Sequence, residues 1–313
     1  MFEIERLRGR KMITLVGSAG AALFLSAAFF VPLRARSHSV PALKHVFIVV
    51  FENEAYDEII GSREMPYLNS LARHNALATN YYANSHPSIG NYFMMTAGQL
   101  ITRDDSYSST VREDNVVRRL VASGKSWKSY AEDLPAVGYT GGNRRPYLRR
   151  HNPLSFFSDV VENPAQRKNL VPLTQLPADL ASGSLPNYAF VVPNEFHNLH
   201  SCLEGGESCT EQEQMRLADA WLRDHIGPLL NNKSFQQDGL LLILFDEAEP
   251  HDKTHGGGRI PVILVGSKVK AGYRSKTFYQ QESALRLACD ALRLEGCPGA
   301  AATAPTMEEF FRQ

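Results

Sequence analysis

Residues 45–53 read HVFIVVFEN: an unbroken apolar, largely β-branched run from Val46 to Phe51, stopped abruptly by Glu52 and Asn53. A strand with one wet face alternates polar and apolar residues, so a run without alternation belongs in a sheet covered on both faces. The same pattern returns at 239–247, GLLLILFDE, which stops on Asp246 and Glu247. NYAFVVPN (187–194) and RIPVILVG (259–266) read as further buried strands, and ATNYYA (78–83) and SWKSYAE (126–132) as shorter ones. Helical spacing occupies 65–76, 115–123, 211–230 and 279–292. Buried strands alternating with helices predict a three-layer α/β/α sandwich around a largely parallel central sheet.

Outward from these strands, the chain divides into an N-terminal stretch, 1–40, and a body, 41–313. With 313 residues, 43% of them hydrophobic, the chain can bury one large core, or one core plus a small cap. Thirty-three basic and thirty-three acidic residues cancel, which argues against general attraction to nucleic acid. The weakly patterned span 102–186 is expected to form excursions over the site. In the N-terminal stretch, RLRGRK precedes Met12–Leu33, about 22 residues without a charge, the length of a bilayer span. This is a signal peptide or a membrane anchor, with Ser26, Ala27 and Ala28 leaving cleavage open. Basic residues ahead of it put the body on the extracytoplasmic side, periplasmic or secreted, although Arg34 and Arg36 weaken that signal. In such a compartment the four cysteines are expected as two local disulfides, Cys202 with Cys209 and Cys289 with Cys297. A zinc site of His197, His200, Cys202 and Cys209 is the competing reading. Oligomeric state is not legible.

In open α/β sheets ligands bind beyond the carboxyl ends of the strands. Glu52, Asn53, Asp246 and Glu247 stand there, and such oxygens repel one another unless protonated or gathered around a cation. Oxygen donors suit Ca, Mg or Mn, with Zn possible. A third stretch, NSHPSIGNYFMMTAG (84–98), puts Ser88 at the start of an apolar helix, where free N–H groups and the helix dipole favour an anion. Ser88 there is an N-cap or a nucleophile, and these residues alone do not choose.

Together, HVFIVVFENEAYDEIIG, SHPSIGNYFMMTAG, VVPNEFHNLH and LILFDEAEPHDKTHGGGRIPVILVG resemble the bacterial acid phosphatase and phospholipase C phosphoesterase family of the alkaline phosphatase superfamily. The resemblance runs from about Lys44 to Gly266 and implies an alkaline phosphatase-like fold. It implies one divalent metal ion held by Glu52, Asn53, Ser88, Asp246 and Glu247, and Ser88 as a nucleophile that passes through a phosphoserine, with Ser85 as the alternative. Asn91 would hold phosphate oxygens. Histidines can supply the acid for the leaving group, because their ordinary pKa allows either protonation state. His200 and His255 are the catalytic candidates, and His86, His197 and His251 the substrate-binding ones; His38, His45, His74 and His225 read as solvated or structural. Asn198 stands where relatives often carry an Asp, and an Asp-Glu pair replaces the Asp-His of two-zinc members, so one ion is expected. The implied activity is hydrolysis of phosphomonoesters. Alternatives are a phospholipase C-type phosphodiesterase on phospholipid headgroups, a phosphoryl transferase, and a metal-retaining binding protein without turnover. RRPYLRRHNP (144–153) offers basic groups for a second phosphate or a lipid surface. The expected partner is a small phosphate ester or a headgroup, with no nucleic acid.

Overall fold

The computed structural model describes residues 40–201 and 209–312. The N-terminal apolar segment and Cys202 lie outside them; among the described residues no helix is long and apolar enough to cross a membrane. In chain order the strands are β1 (His45–Phe51), β2 (Ala76–Ala78), β3 (Tyr81–Tyr82), β4 (Trp127–Ala131), β5 (Leu170–Pro172), β6 (Tyr188–Val192), β7 (Gly239–Phe245), β8 (Val262–Val265), β9 (Arg274–Ser275) and β10 (Tyr279–Gln280). Eight form one sheet in the order β5-β4-β6-β1-β7-β8-β2-β9, and β10 pairs with β3 apart from it. Only β8 runs against its neighbours, antiparallel to both β7 and β2.

The two strands read first are the centre of this sheet. Every residue of β1 and β7 is buried, and they pair in parallel from His45 opposite Gly239 to Phe51 opposite Phe245. The ladder continues one residue further, with Asp246 N–H donating to Phe51 O at 2.9 Å. Equal lengths in this register bring Glu52–Asn53 and Asp246–Glu247 out side by side. On the other flank of β1, the segment after β6 returns to the same edge, where Glu52 N–H donates to Asn198 O at 2.9 Å.

The first three helices are α1 (Tyr56–Ile59), α2 (Pro66–His74) and α3 (Ile89–Ala97). Pro66 suits the first turn of α2, and the free N–H groups of Tyr67 and Leu68 donate to the buried Asp219 carboxylate at 3.0 and 2.8 Å. All nine residues of α3 are buried, and Gly98, at φ 66°, ends it in the left-handed conformation. Helix Gln281–Leu292 packs against α3 and β1. Aromatic contacts tie helices to the sheet, among them Phe47 with Phe235 and Phe51 with Trp221.

Some boundaries differ from the sequence reading. ATNYYA is not one strand: β2 ends at Ala78, Thr79 donates its hydroxyl to Ser275 O at 2.6 Å, and Tyr81–Tyr82 turns to pair with β10. The helix expected over 211–230 is α-helical to Trp221, widens into a π turn at Leu222–Ile226 and resumes at Gly227–Leu230. Pro228, which lacks an N–H, cannot continue the earlier ladder. The closing helix starts at Gln281, because Tyr279–Gln280 is spent on β10. The span 102–186 contributes β4 and β5 to the sheet as well as loops. Cys289 and Cys297 form a disulfide, and Cys209 is disulfide-bonded.

Candidate active site

Ser88 sits at the N-terminus of α3 with helical dihedrals, and its side chain makes no capping bond. Its hydroxyl donates instead to Glu52 Oε2 at 3.2 Å. The same hydroxyl favours the charged forms of Asp246 and Glu247. The N-cap alternative is thereby set aside on geometry. Gly90 permits the close fold of this turn: a Cβ there would lie 2.5 Å from Ser85 Oγ and 3.2 Å from Thr102 O.

Around Ser88 the carboxylates are crowded and dry. Burial, reinforced by Asp246, holds Glu52 well above the usual carboxylate range. Burial raises Asp246 to about 7, and burial with Asp246 and Glu52 raises Glu247 to about 10. Burial is the main cause of these shifts, with mutual repulsion adding to it at Glu52 and Glu247. Asp246 Oδ1 accepts from the N–H groups of Asn53 and Glu247 at 3.2 and 2.7 Å. Asp246 Oδ2 and Asn53 Oδ1, both buried, have no hydrogen-bond partner among the described residues. Two orphaned oxygens among fully or nearly buried carboxylates are a donor set that fits a hard divalent cation.

A second cluster lies next door. Glu54, Glu58 and Glu249 bring carboxylate oxygens within 4.8 Å of one another, and burial with Glu58 raises Glu54 to about 8. Glu249 Oε1 accepts the N–H of Ala55 at 3.1 Å, and of the three only Glu54 is buried.

Of the residues singled out in the sequence, Asn91 and His86 stand inside the site. Asn91 Oδ1 accepts from the N–H groups of Asn84 and Ser85 at 2.9 and 3.1 Å, while Nδ2 donates to Ser85 O at 2.7 Å and Glu247 Oε2 at 3.2 Å. Its amide is therefore occupied in clamping the turn ahead of Ser88, not free for phosphate. His86 Nε2 donates to Asp252 O at 2.8 Å, leaving Nδ1 3.3 Å from Glu247 Oε2. Ser85 Oγ is buried without a partner over Gly90 and contacts no carboxylate. His200 lies at the rim, its ring 6.2 Å from that of His151. His197 is drawn to Glu132, 3.0 Å away beyond the end of β4. His255 stands exposed with its ring against Tyr82 and Phe278, and His251 is exposed on the same loop.

The structure adds four residues that the sequence reading did not name one by one, Arg150 and His151 among them coming from the basic stretch 144–153 it offered for a second phosphate or a lipid surface. Tyr92, one turn along α3 from Ser88, donates its hydroxyl to Glu52 Oε1. His151 is buried with Nε2 3.4 Å from Glu52 Oε2 and its ring stacked on Tyr92. Burial, then the charge of Arg150, keeps His151 neutral by pushing its pKa well down. Arg150 and Asp105 complete the wall, 3.9 Å apart, with Asp105 Oδ1 accepting the N–H of Ile89 at 3.2 Å. Three of the four come from the span without periodicity, where the basic stretch 144–153 was the available signal.

Comparisons with known proteins bear on the family and the fold. A model of the Phosphoesterase family matches residues 62–292. A probable acid phosphatase of Kluyveromyces lactis is 32% identical over 78% of this chain and 57% of its own length. A phosphatidylinositol-3-phosphatase of Mycobacterium tuberculosis is 29% identical over 85% of this chain and 83% of its own. The chain thus spans little more than half the Kluyveromyces protein. In fold it is similar to a phosphonate monoester hydrolase of Agrobacterium radiobacter, with TM-score 0.53 at 13% identity over 80% of this chain and 74% of that one. An alkaline phosphatase superfamily protein of Vibrio parahaemolyticus gives TM-score 0.52 at 12% identity, over 80% and 67%. The expected α/β fold of that superfamily is the one observed.

Proposed function

The chain belongs to the phosphoesterase family, and from that premise we propose that it hydrolyses phosphate monoesters, with one divalent cation, through a phosphorylated Ser88. The observation that carries this is the Ser88 hydroxyl, unspent as a cap and 3.2 Å from Glu52 Oε2, beside the orphaned oxygens of Asn53 and Asp246. Glu52, Asn53, Asp246, Glu247 and the Ser88 oxygen would hold the cation, which when bound lowers the hydroxyl's proton affinity and offsets phosphate charge.

The rest is done by the chain. Ser88 Oγ forms a bond to phosphorus as the bond to the leaving oxygen breaks in line, and that oxygen takes a proton. Water then attacks the phosphoserine, releases phosphate and restores the hydroxyl. The N-terminus of α3 stabilises the charge on the phosphoryl oxygens. Burial and Arg150 lower the proton affinity of His200; a phosphate dianion beside it raises that affinity, which suits a donor to the leaving group. The phosphatase names of the relatives support a monoester. The Cys289–Cys297 disulfide supports an extracytoplasmic location.

The test is hydrolysis of p-nitrophenyl phosphate, bis-p-nitrophenyl phosphate and phosphatidylcholine after chelation and re-addition of Mg, Ca, Mn or Zn. The expected result is monoester turnover that vanishes on chelation and returns with one of these ions. Faster diester or lipid cleavage would make it a phosphodiesterase, and phosphoryl transfer to added glycerol a transferase. Loss of all activity with every ion, cation binding intact, would leave a binding protein.

A further inference from the structure

Arg150 is a cation with an unfilled bond. Its side chain is 17% exposed and its Nε is buried without a hydrogen-bond partner, the nearest acid being Asp105 Oδ2 at 3.9 Å. Its charge bears on Glu52, Tyr92, His151 and His200, the groups gathered around Ser88. Asp105 is equally out of keeping there. Its carboxylate takes the N–H of Ile89, the residue after Ser88, and so stands at the helix end where a phosphoryl oxygen is stabilised. It does so although Asp246 and Glu247 feel it as a further negative charge.

We propose that Arg150 binds the phosphate dianion of the substrate, and that Asp105 is a resident anion occupying that position until substrate displaces it. The inference deepens the phosphatase reading and rests on it. An incoming phosphate takes over the Ile89 N–H and the guanidinium, whose planar fork can hold two phosphate oxygens, and Asp105, whose side chain is 36% exposed, swings to solvent. Dianions gain more than monoanions from this exchange, so Arg150 selects monoesters over diesters. The resident carboxylate excludes weakly bound anions from the site.

The test uses cation-loaded protein with Arg150→Gln, Arg150→Lys and Asp105→Asn, each checked for an unchanged melting temperature. Inorganic phosphate binding is measured by calorimetry, independently of turnover. Arg150→Gln is expected to weaken phosphate binding about 10- to 100-fold, a charge-assisted pair being lost. It should raise KM for p-nitrophenyl phosphate by a similar factor and affect bis-p-nitrophenyl phosphate less; Arg150→Lys should recover part of the loss. Asp105→Asn is expected to tighten phosphate binding and lower KM severalfold. Unchanged phosphate binding in Arg150→Gln overturns the assignment of Arg150, and weaker binding in Asp105→Asn overturns that of Asp105. If wild-type protein binds phosphate through Arg150 yet hydrolyses no ester, the phosphatase reading fails while this one stands.

Discussion

Ser88, Asn91 and Tyr92 lie within one turn and a half of α3, yet each is asked for something different. Ser88 is the proposed nucleophile, and Ser88→Ala should cut p-nitrophenyl phosphate turnover by at least about a thousandfold with cation binding retained, as assay and calorimetry will report. Asn91 is a clamp with four hydrogen bonds. Asn91→Ala strands buried donors and acceptors and should lower stability by about 3 kcal/mol in chemical denaturation. Tyr92 donates to Glu52; Tyr92→Phe should weaken cation affinity about tenfold by calorimetry, the usual effect of losing a bond to a ligand. At this scale the sequence disclosed what stands at strand ends and helix starts, because Glu52, Asp246 and Ser88 interrupt strong apolar patterns. Arg150 and His151 sit in a single 3-10 turn and Asp105 in a loop, and only tertiary folding brings them to Ser88. His255, a candidate from the family resemblance, stands against Tyr82 and Phe278, and the glycines after it pack closely on Asn84, Ser85 and Ala83.

Among the elements, β1 and β7 matter most, since their shared register from His45–Gly239 to Phe51–Phe245 sets the two acidic doublets beside each other. The loop before β8 then locks the turn ahead of Ser88. A Cβ on Gly257 would stand 2.5 Å from Ser85 O and 2.7 Å from Ala83 Cβ. Gly257→Ala should therefore lower stability by about 1–3 kcal/mol and reduce kcat more than KM, as melting and steady-state kinetics will measure. The central strands were legible because burial on both faces leaves an unbroken apolar run. The reversed direction of β8 was not, because a four-residue buried strand reads the same either way. The π turn at Leu222–Ile226 escaped because amphipathic spacing continues across it.

For the whole body, His38–Gln313, the site gathers buried carboxylates whose proton affinity burial raises, and the proposed cation would relieve their crowding. Asp246, Glu247 and Glu54 are raised from ordinary values of 3.8, 4.5 and 4.5 to about 7, 10 and 8. An acid raised in the folded state binds its proton more tightly there than when unfolded, so its stabilisation is full below the ordinary value and fades as pH climbs through the raised one. Metal-stripped protein should accordingly melt at a higher temperature at pH 5 than at pH 8, and a saturating divalent cation should narrow the gap. The sandwich was legible from composition and strand pattern, whereas the closeness of two doublets 193 residues apart, Asn53 N–H reaching Asp246, needed the fold itself. The most direct measurement is an acid quench of cation-loaded protein during a single turnover of p-nitrophenyl phosphate, followed by peptide mass analysis. A phosphoryl group on Ser88, absent from Ser88→Ala, is the predicted result; phosphate on Ser85, or turnover with no phosphorylated serine, would contradict it.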